Sequence, residues 1–95
     1  MSTWTFLTHH AHVLVELAKN PDITVQHLSE TVGISARATV NILNDLVADG
    51  YVERERRGRR NHYVIHGESP LRHPANATHS LNELIATLTA LPKVG

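Results

Sequence analysis

The chain has 95 residues, 41% hydrophobic and 19% charged, a size and balance that suit one globular unit and exclude wholesale disorder. It contains no cysteine, which removes disulfides, thiolate zinc sites and thiol redox chemistry. Nine Lys and Arg balance nine Asp and Glu, so net charge alone gives no sign of a polyanionic partner.

Leu7, Ala11, Leu14 and Ala18, with Leu17 beside them, predict a first helix from about Leu7 to Lys19, ended by Asn20-Pro21. His10 falls on its apolar side as a half-buried packing residue. Ile23 is expected to form a one- or two-residue strand against a later hairpin. Thr24 caps a second helix over Val25 to Val32, with Val25, Leu28 and Val32 inward, and Gly33 supplies the left-handed residue that stops it. Ser35 caps a third helix that runs to Asp49 and ends at Gly50. Its expected inward stripe is Ala36, Val40, Leu43 and Val47, with Leu46 at the margin, leaving Arg37, Ala38, Asn41 and Asp45 pointing away.

The pattern then switches to period two. Val52 to Arg56 forms one strand, Arg57-Gly58-Arg59-Arg60 a turn, and Asn61 to Ile65 the other strand. Tyr63 and Ile65 face inward with Val52, which shares strand parity with Arg54 and Arg56, so the far end of the ribbon must project beyond the core. Residues 67–73, rich in turn formers, make a connector. A last helix is predicted from about Pro74 to Leu91, with Ala77, Leu81, Leu84, Ile85, Leu88 and Leu91 as its apolar stripe. The expected fold is mainly α with a small β-hairpin: a single domain over 1–95, with the three-helix core and hairpin in 7–66 and the C-terminal helix in 74–91. No apolar run approaches the ~18 residues that span a bilayer, and Met1 to Leu7 lacks the segments of a secretion signal. A soluble, cytoplasmic protein is expected.

Charge is distributed unevenly along this plan. Between Gly50 and His66, Arg54, Arg56, Arg57, Arg59 and Arg60 face only two glutamates, a surplus of three positive charges, so the remainder carries a deficit of three. Like charges crowded at a tip cost stability unless an external anion neutralises them, and DNA phosphates or a narrow minor groove would serve. Charges that merely protect an exposed edge do not call for three arginines around one glycine. The third helix offers matching chemistry. Ser35 and the amides after it suit a phosphate, Arg37 can present its fork to guanine O6 and N7, and Asn41 can pair with adenine N6 and N7, with Ala38 on the same face. Thr39 and Asn44 flank that face and are expected to touch the DNA backbone.

The run Val25-Gln26-His27-Leu28-Ser29-Glu30-Thr31-Val32-Gly33-Ile34-Ser35, then Ala38-Thr39-Val40 with Leu43 and Leu46, then Asp49-Gly50-Tyr51-Val52-Glu53-Arg54, resembles the winged helix-turn-helix of the MarR and ArsR groups of bacterial transcription regulators. The resemblance covers roughly Leu7 to His66. It implies a homodimeric, sequence-specific regulator of double-stranded DNA, with the third helix in the major groove and the wing on adjacent backbone or minor groove.

Two other readings compete. ArsR-like proteins include metal sensors, and His9, His12 and Glu16 fall at i, i+3 and i+7 on one helix face, where two imidazoles and a carboxylate could meet Zn²⁺ or Ni²⁺ with His73 or His79 as a fourth ligand. A solvated helix face is the simpler account, and no metal or other cofactor is expected. Winged helices also serve as protein-interaction modules, but Arg37, Asn41 and the arginine tip favour nucleic acid. An enzyme finds no footing, since neither a Gly-rich phosphate loop nor a catalytic motif is present. Apolar stripes on both terminal helices, with Trp4 and Phe6, exceed what a three-helix core can cover, and a two-fold interface between terminal helices is the expected outlet.

Overall fold

The computed structural model describes residues 4–89. Three helices, α1 (His9–Lys19), α2 (Val25–Val32) and α3 (Ala36–Ala48), lead into a hairpin of β1 (Val52–Arg57) and β2 (Arg60–Ile65), and α4 (Leu81–Thr89) follows. Each of the first three helices begins at a hydroxyl. Thr8, Thr24 and Ser35 accept from the N–H of Ala11, His27 and Ala38 at 3.2, 3.1 and 3.0 Å. The Thr8 cap starts α1 two residues later than the apolar spacing from Leu7 implies. α2 has its expected bounds, and Gly33, at φ 84°, turns the chain where any side chain would be strained.

One core joins these elements. Val13, Leu14 and Leu17 of α1 meet Leu28 of α2, Ile42, Leu43 and Leu46 of α3, Val52 and Tyr63 of the hairpin and Leu81 of α4. Leu17, Leu28 and Leu43 are fully enclosed, each contributing roughly 1.5–3 kcal/mol. α3 buries a different stripe from the expected one: Thr39, Ile42, Leu43 and Leu46 face inward, while Ala36 is exposed, Val40 is 39% exposed and Val47 is only partly covered. At 100° per residue this is a rotation of roughly 80°. Ile42 and Leu46 bury more apolar surface than Ala36 and Val40, and Thr39 can accompany them because its hydroxyl donates to Ser35 O at 2.9 Å.

The hairpin is tighter than expected. Arg57 pairs with Arg60, which leaves a two-residue loop of Gly58 and Arg59, with φ 62° at Gly58 as a loop with glycine first requires. Val52 and Tyr63 are buried and Ile65 packs against the core, so the near end is rooted and the far end projects. Ile23 forms no strand. Its side chain is buried, and the loop before it meets the hairpin through one backbone bond, from Tyr63 N to Pro21 O at 2.9 Å, and one side-chain contact, between His62 Nδ1 and Asp22 Oδ1 at 2.8 Å. His10 is exposed instead of half-buried, its ring 2.9 Å from Asp45 of α3.

The C-terminal region departs most from expectation. Pro74–Asn76 is a single 3-10 turn, α4 begins only at Leu81, and Ala77 lies outside it. Leu91 falls outside the described residues. Ser80-Leu81-Asn82-Glu83 has the spacing of a capping box, and the Ser80 N–H donates to the Glu83 carboxylate at 2.9 Å, which restarts the helix there. The connector folds back on this start: Asn82 N donates to Gly67 O and Leu81 N to Ser69 O, both at 2.8 Å, and Pro70 bridges Ser80. Leu81 is buried, Leu84 and Ile85 pack against the core, and Leu88 remains 38% exposed. Among the described residues no helix is long and apolar enough to cross a membrane.

The cap yields a stability test. Glu83→Ala should remove the acceptor for the Ser80 N–H and cost about 1 kcal/mol. In thermal unfolding that is a loss of roughly 4–8 °C, whereas an unchanged midpoint would show that α4 holds its start by packing alone.

Candidate nucleic-acid interface

The inward turn of Thr39, Ile42, Leu43 and Leu46 decides what α3 shows to solvent. Arg37, Asn41, Asn44 and Ala48, at i, i+4, i+7 and i+11, lie opposite the buried stripe, and all four are exposed. Asn44 therefore stands in the middle of the outward face and not at its flank. The same wheel carried that signal, had Ile42 been counted in the buried stripe. Ala38 moves to the edge and is half-buried. Thr39 leaves the surface altogether: at 0% exposure, with its hydroxyl turned to Ser35 O, it is a core residue and has no contact to offer a ligand.

Ser35 is exposed at the start of the same helix. Its Oγ accepts the Ala38 N–H, which leaves its own O–H available to donate to an anion beside the first-turn amides. Asp45, on the far flank, is held by His10. Asp49, at the C-cap of α3, is paired with Arg72 of the connector at 2.8 Å. Both acidic groups next to the outward face thus have cationic or hydrogen-bonding partners. These two pairs also rim a cavity of about 330 Å³ between α1, the end of α3 and α4, whose walls include Ala11, Leu14, Leu46 and Leu84.

The wing begins where α3 leaves off. Register places Val52 opposite Ile65, Arg54 opposite Tyr63 and Arg56 opposite Asn61, so these arginines occupy the strand face that is rooted in the core. Arg54 Nη2 donates to Asn44 Oδ1 at 3.1 Å and ties β1 to the outward face of α3. Arg56 Nε donates to Gly58 O at 2.9 Å and braces the turn. Arg57 lies on the opposite strand face and pairs with Glu55 at 3.2 Å. Arg37, Arg59 and Arg60 are exposed and have no ion-pair partner among the described residues. Arg57 and Arg60 stand directly across from one another, an arrangement of like charges that destabilises the isolated tip.

The histidines do not gather. Among the described residues no three His, Asp or Glu side chains are placed to hold a metal ion. Glu16 receives Lys19, His79 lies 2.9 Å from Glu83, and His73 Nδ1 accepts the Ala75 N–H.

Residues 5–60 match the MarR family. No curated protein sequence matches the chain. Among solved structures, a predicted DNA-binding transcriptional regulator from E. coli is similar at 27% identity and a TM-score of 0.58, over 82% of this chain and 70% of that one. MepR, a transcription regulator of the Staphylococcus aureus multidrug efflux pump MepA, shares the fold at 14% identity and a TM-score of 0.58, over 87% of this chain and 55% of its own. Three packed helices, a tight hairpin rooted beside the third and a family match over more than half the sequence agree: the chain belongs to the MarR family of winged helix-turn-helix transcription regulators.

Proposed function

We propose that the chain is a single cytoplasmic domain that binds double-stranded DNA sequence-specifically as a homodimer, with α3 in the major groove and the wing on adjacent backbone or minor groove. The observation that carries this reading is the contact between Arg54 and Asn44, which makes the outward face of α3 and the cationic strand face one continuous surface. Arg37 and Asn41 then read base edges, and Ser35 with the first-turn amides holds a phosphate. Arg57, Arg59 and Arg60 at the tip reach the next stretch of backbone, where phosphates relieve their mutual repulsion.

Dimerisation is supported by apolar surface that the described fold leaves uncovered. Phe6 is 92% and Trp4 67% exposed, their rings 5.0 Å apart edge to face, at the entry to α1, and α4 packs on α1 with Leu88 turned outward. Joining two copies through these terminal elements would set two reading helices about one DNA turn, ~34 Å, apart.

Three measurements test the reading. Alanine at Arg57, Arg59 and Arg60 together should leave folding intact, weaken binding to all duplexes alike and lower the salt slope by roughly 0.9 for each phosphate no longer neutralised. An unchanged slope would reduce the tip to a solubility device. Arg37→Ala or Asn41→Ala should each cost about 1–3 kcal/mol on the preferred site and little on random DNA, and equal losses on both would move these residues to the backbone. Phe6→Glu with Leu88→Glu, both at exposed positions, should convert a sedimenting dimer to a monomer that holds a palindromic site far more weakly; a wild type that sediments as a monomer with and without DNA would end the dimer proposal.

A further inference from the structure

An asparagine on a reading helix is normally ambidextrous, because its amide carries an acceptor and two donors and can turn either toward a base. Asn44 does not have that freedom. Its neighbour is the Arg54 guanidinium at 3.1 Å, and a guanidinium has donors only. The amide must therefore give its oxygen to the wing, and its –NH₂ points away from Arg54. Asn41, one turn earlier on the same face, has no such partner among the described residues and keeps both functions.

Resting on the DNA-binding reading above, we infer that Arg54 sets the polarity of Asn44, so that this amide meets the major groove as a donor only and selects guanine. Guanine presents two acceptors there, O6 and N7, against the single O4 of thymine beside its methyl group, whereas the usual asparagine partner, adenine, presents a donor at N6 that needs the carbonyl oxygen. The Asn44 oxygen keeps a second lone pair, but with the oxygen turned to Arg54 and the –NH₂ turned to the base, adenine N6 would face N–H against N–H. The wing thus specifies a base it does not itself touch, and Arg54 is a positioning residue acting through Asn44. Both side chains are exposed and outside the core, so their exchange leaves the packing of α3 unchanged.

The test is selection of bound duplexes from a randomised pool with the full chain, followed by binding curves on the winners. Wild type should return a motif in which one column is guanine, identified as the Asn44 position by its loss of preference in Asn44→Ala. In Arg54→Met, which keeps the aliphatic bulk but has no donor, that column should admit adenine, with the guanine-over-adenine ratio falling about tenfold. Arg54→Lys, still a donor without an acceptor, should retain guanine. Asn44→Asp, an acceptor without donors, should turn the column to cytosine through its N4 amine. If Arg54→Met keeps the guanine column and binds all sequences more weakly with a salt slope lowered by ~0.9, Arg54 is a phosphate contact and the inference falls. Equal weakening of all sequences by Asn44→Ala would assign the amide to a phosphate oxygen and overturn it too. A wild type that returns no motif would overturn the DNA reading itself, whereas a clear motif indifferent to Arg54 would overturn this inference alone.

Discussion

Thr39, Ile42, Leu43 and Leu46 are pressed against α1 and α2, and that burial fixes the rotation of α3 about its own axis. A helix has no other means of choosing which side chains it shows. Turned by one residue, about 100°, in one direction the helix would bring Asp45 toward the core as an unpaired buried charge, and in the other it would trade Ile42 and Leu46 for the smaller Ala36 and Val40. Leu17, Leu28 and Leu43, fully enclosed and one from each of the first three helices, oppose either rotation. Among the described residues no buried side-chain polar atom lacks a partner, so the inside of α3 is satisfied with the outside held in one orientation.

The wing depends on the same packing by a second route. Its root, Val52 and Tyr63, lies in the helical core, and Tyr63 N is tied to Pro21 O in the loop between α1 and α2. From that root the strands run outward with alternate residues on opposite faces, so one face carries Arg54 and Arg56 and the other Glu53, Glu55 and Arg57. The face with Arg54 and Arg56 continues the surface of α3, and the other, where Arg57 and Arg60 offset Glu53 and Glu55, is turned from it. The formal neutrality of the chain hides this segregation, since the deficit is carried by residues such as Asp45 and Asp49 that are already engaged by His10 and Arg72.

Most of the architecture is legible in the sequence because it is written in local signals. Thr24, Gly33 and Ser35 bound α2 and α3 within a residue, and the parity of Val52 with Arg54 foretells a ribbon that leaves the core. The failures share a physical cause, competition between neighbouring patterns. Ala36, Val40, Leu43 and Val47 make a valid helical stripe, yet a bulkier one containing Ile42 and Leu46 lies beside it, and a threonine able to bond its own backbone joins the larger set. In the same way the apolar rhythm from Ala77 masks the stronger local instruction at Ser80 and Glu83, where a cap stops one turn and starts another. For the site, exposure and residue type are readable one by one, but the Arg54 to Asn44 contact spans two elements and arises only once the wing is docked.

The facing arginines at the tip have a kinetic side. Arg57 and Arg60 close a loop of only two residues, so the last cross-strand pair of the hairpin is also its most repulsive. A ribbon rooted at Val52 and Tyr63 and exposed at its loop should open from its free end, with amide protons that would exchange fastest at the loop and slowest at the root. A polyanion lying along the tip would attract both side chains and offset their mutual repulsion. The outer rungs, already paired in the free chain, would then open less often, and the entropy of that fraying would be lost on contact.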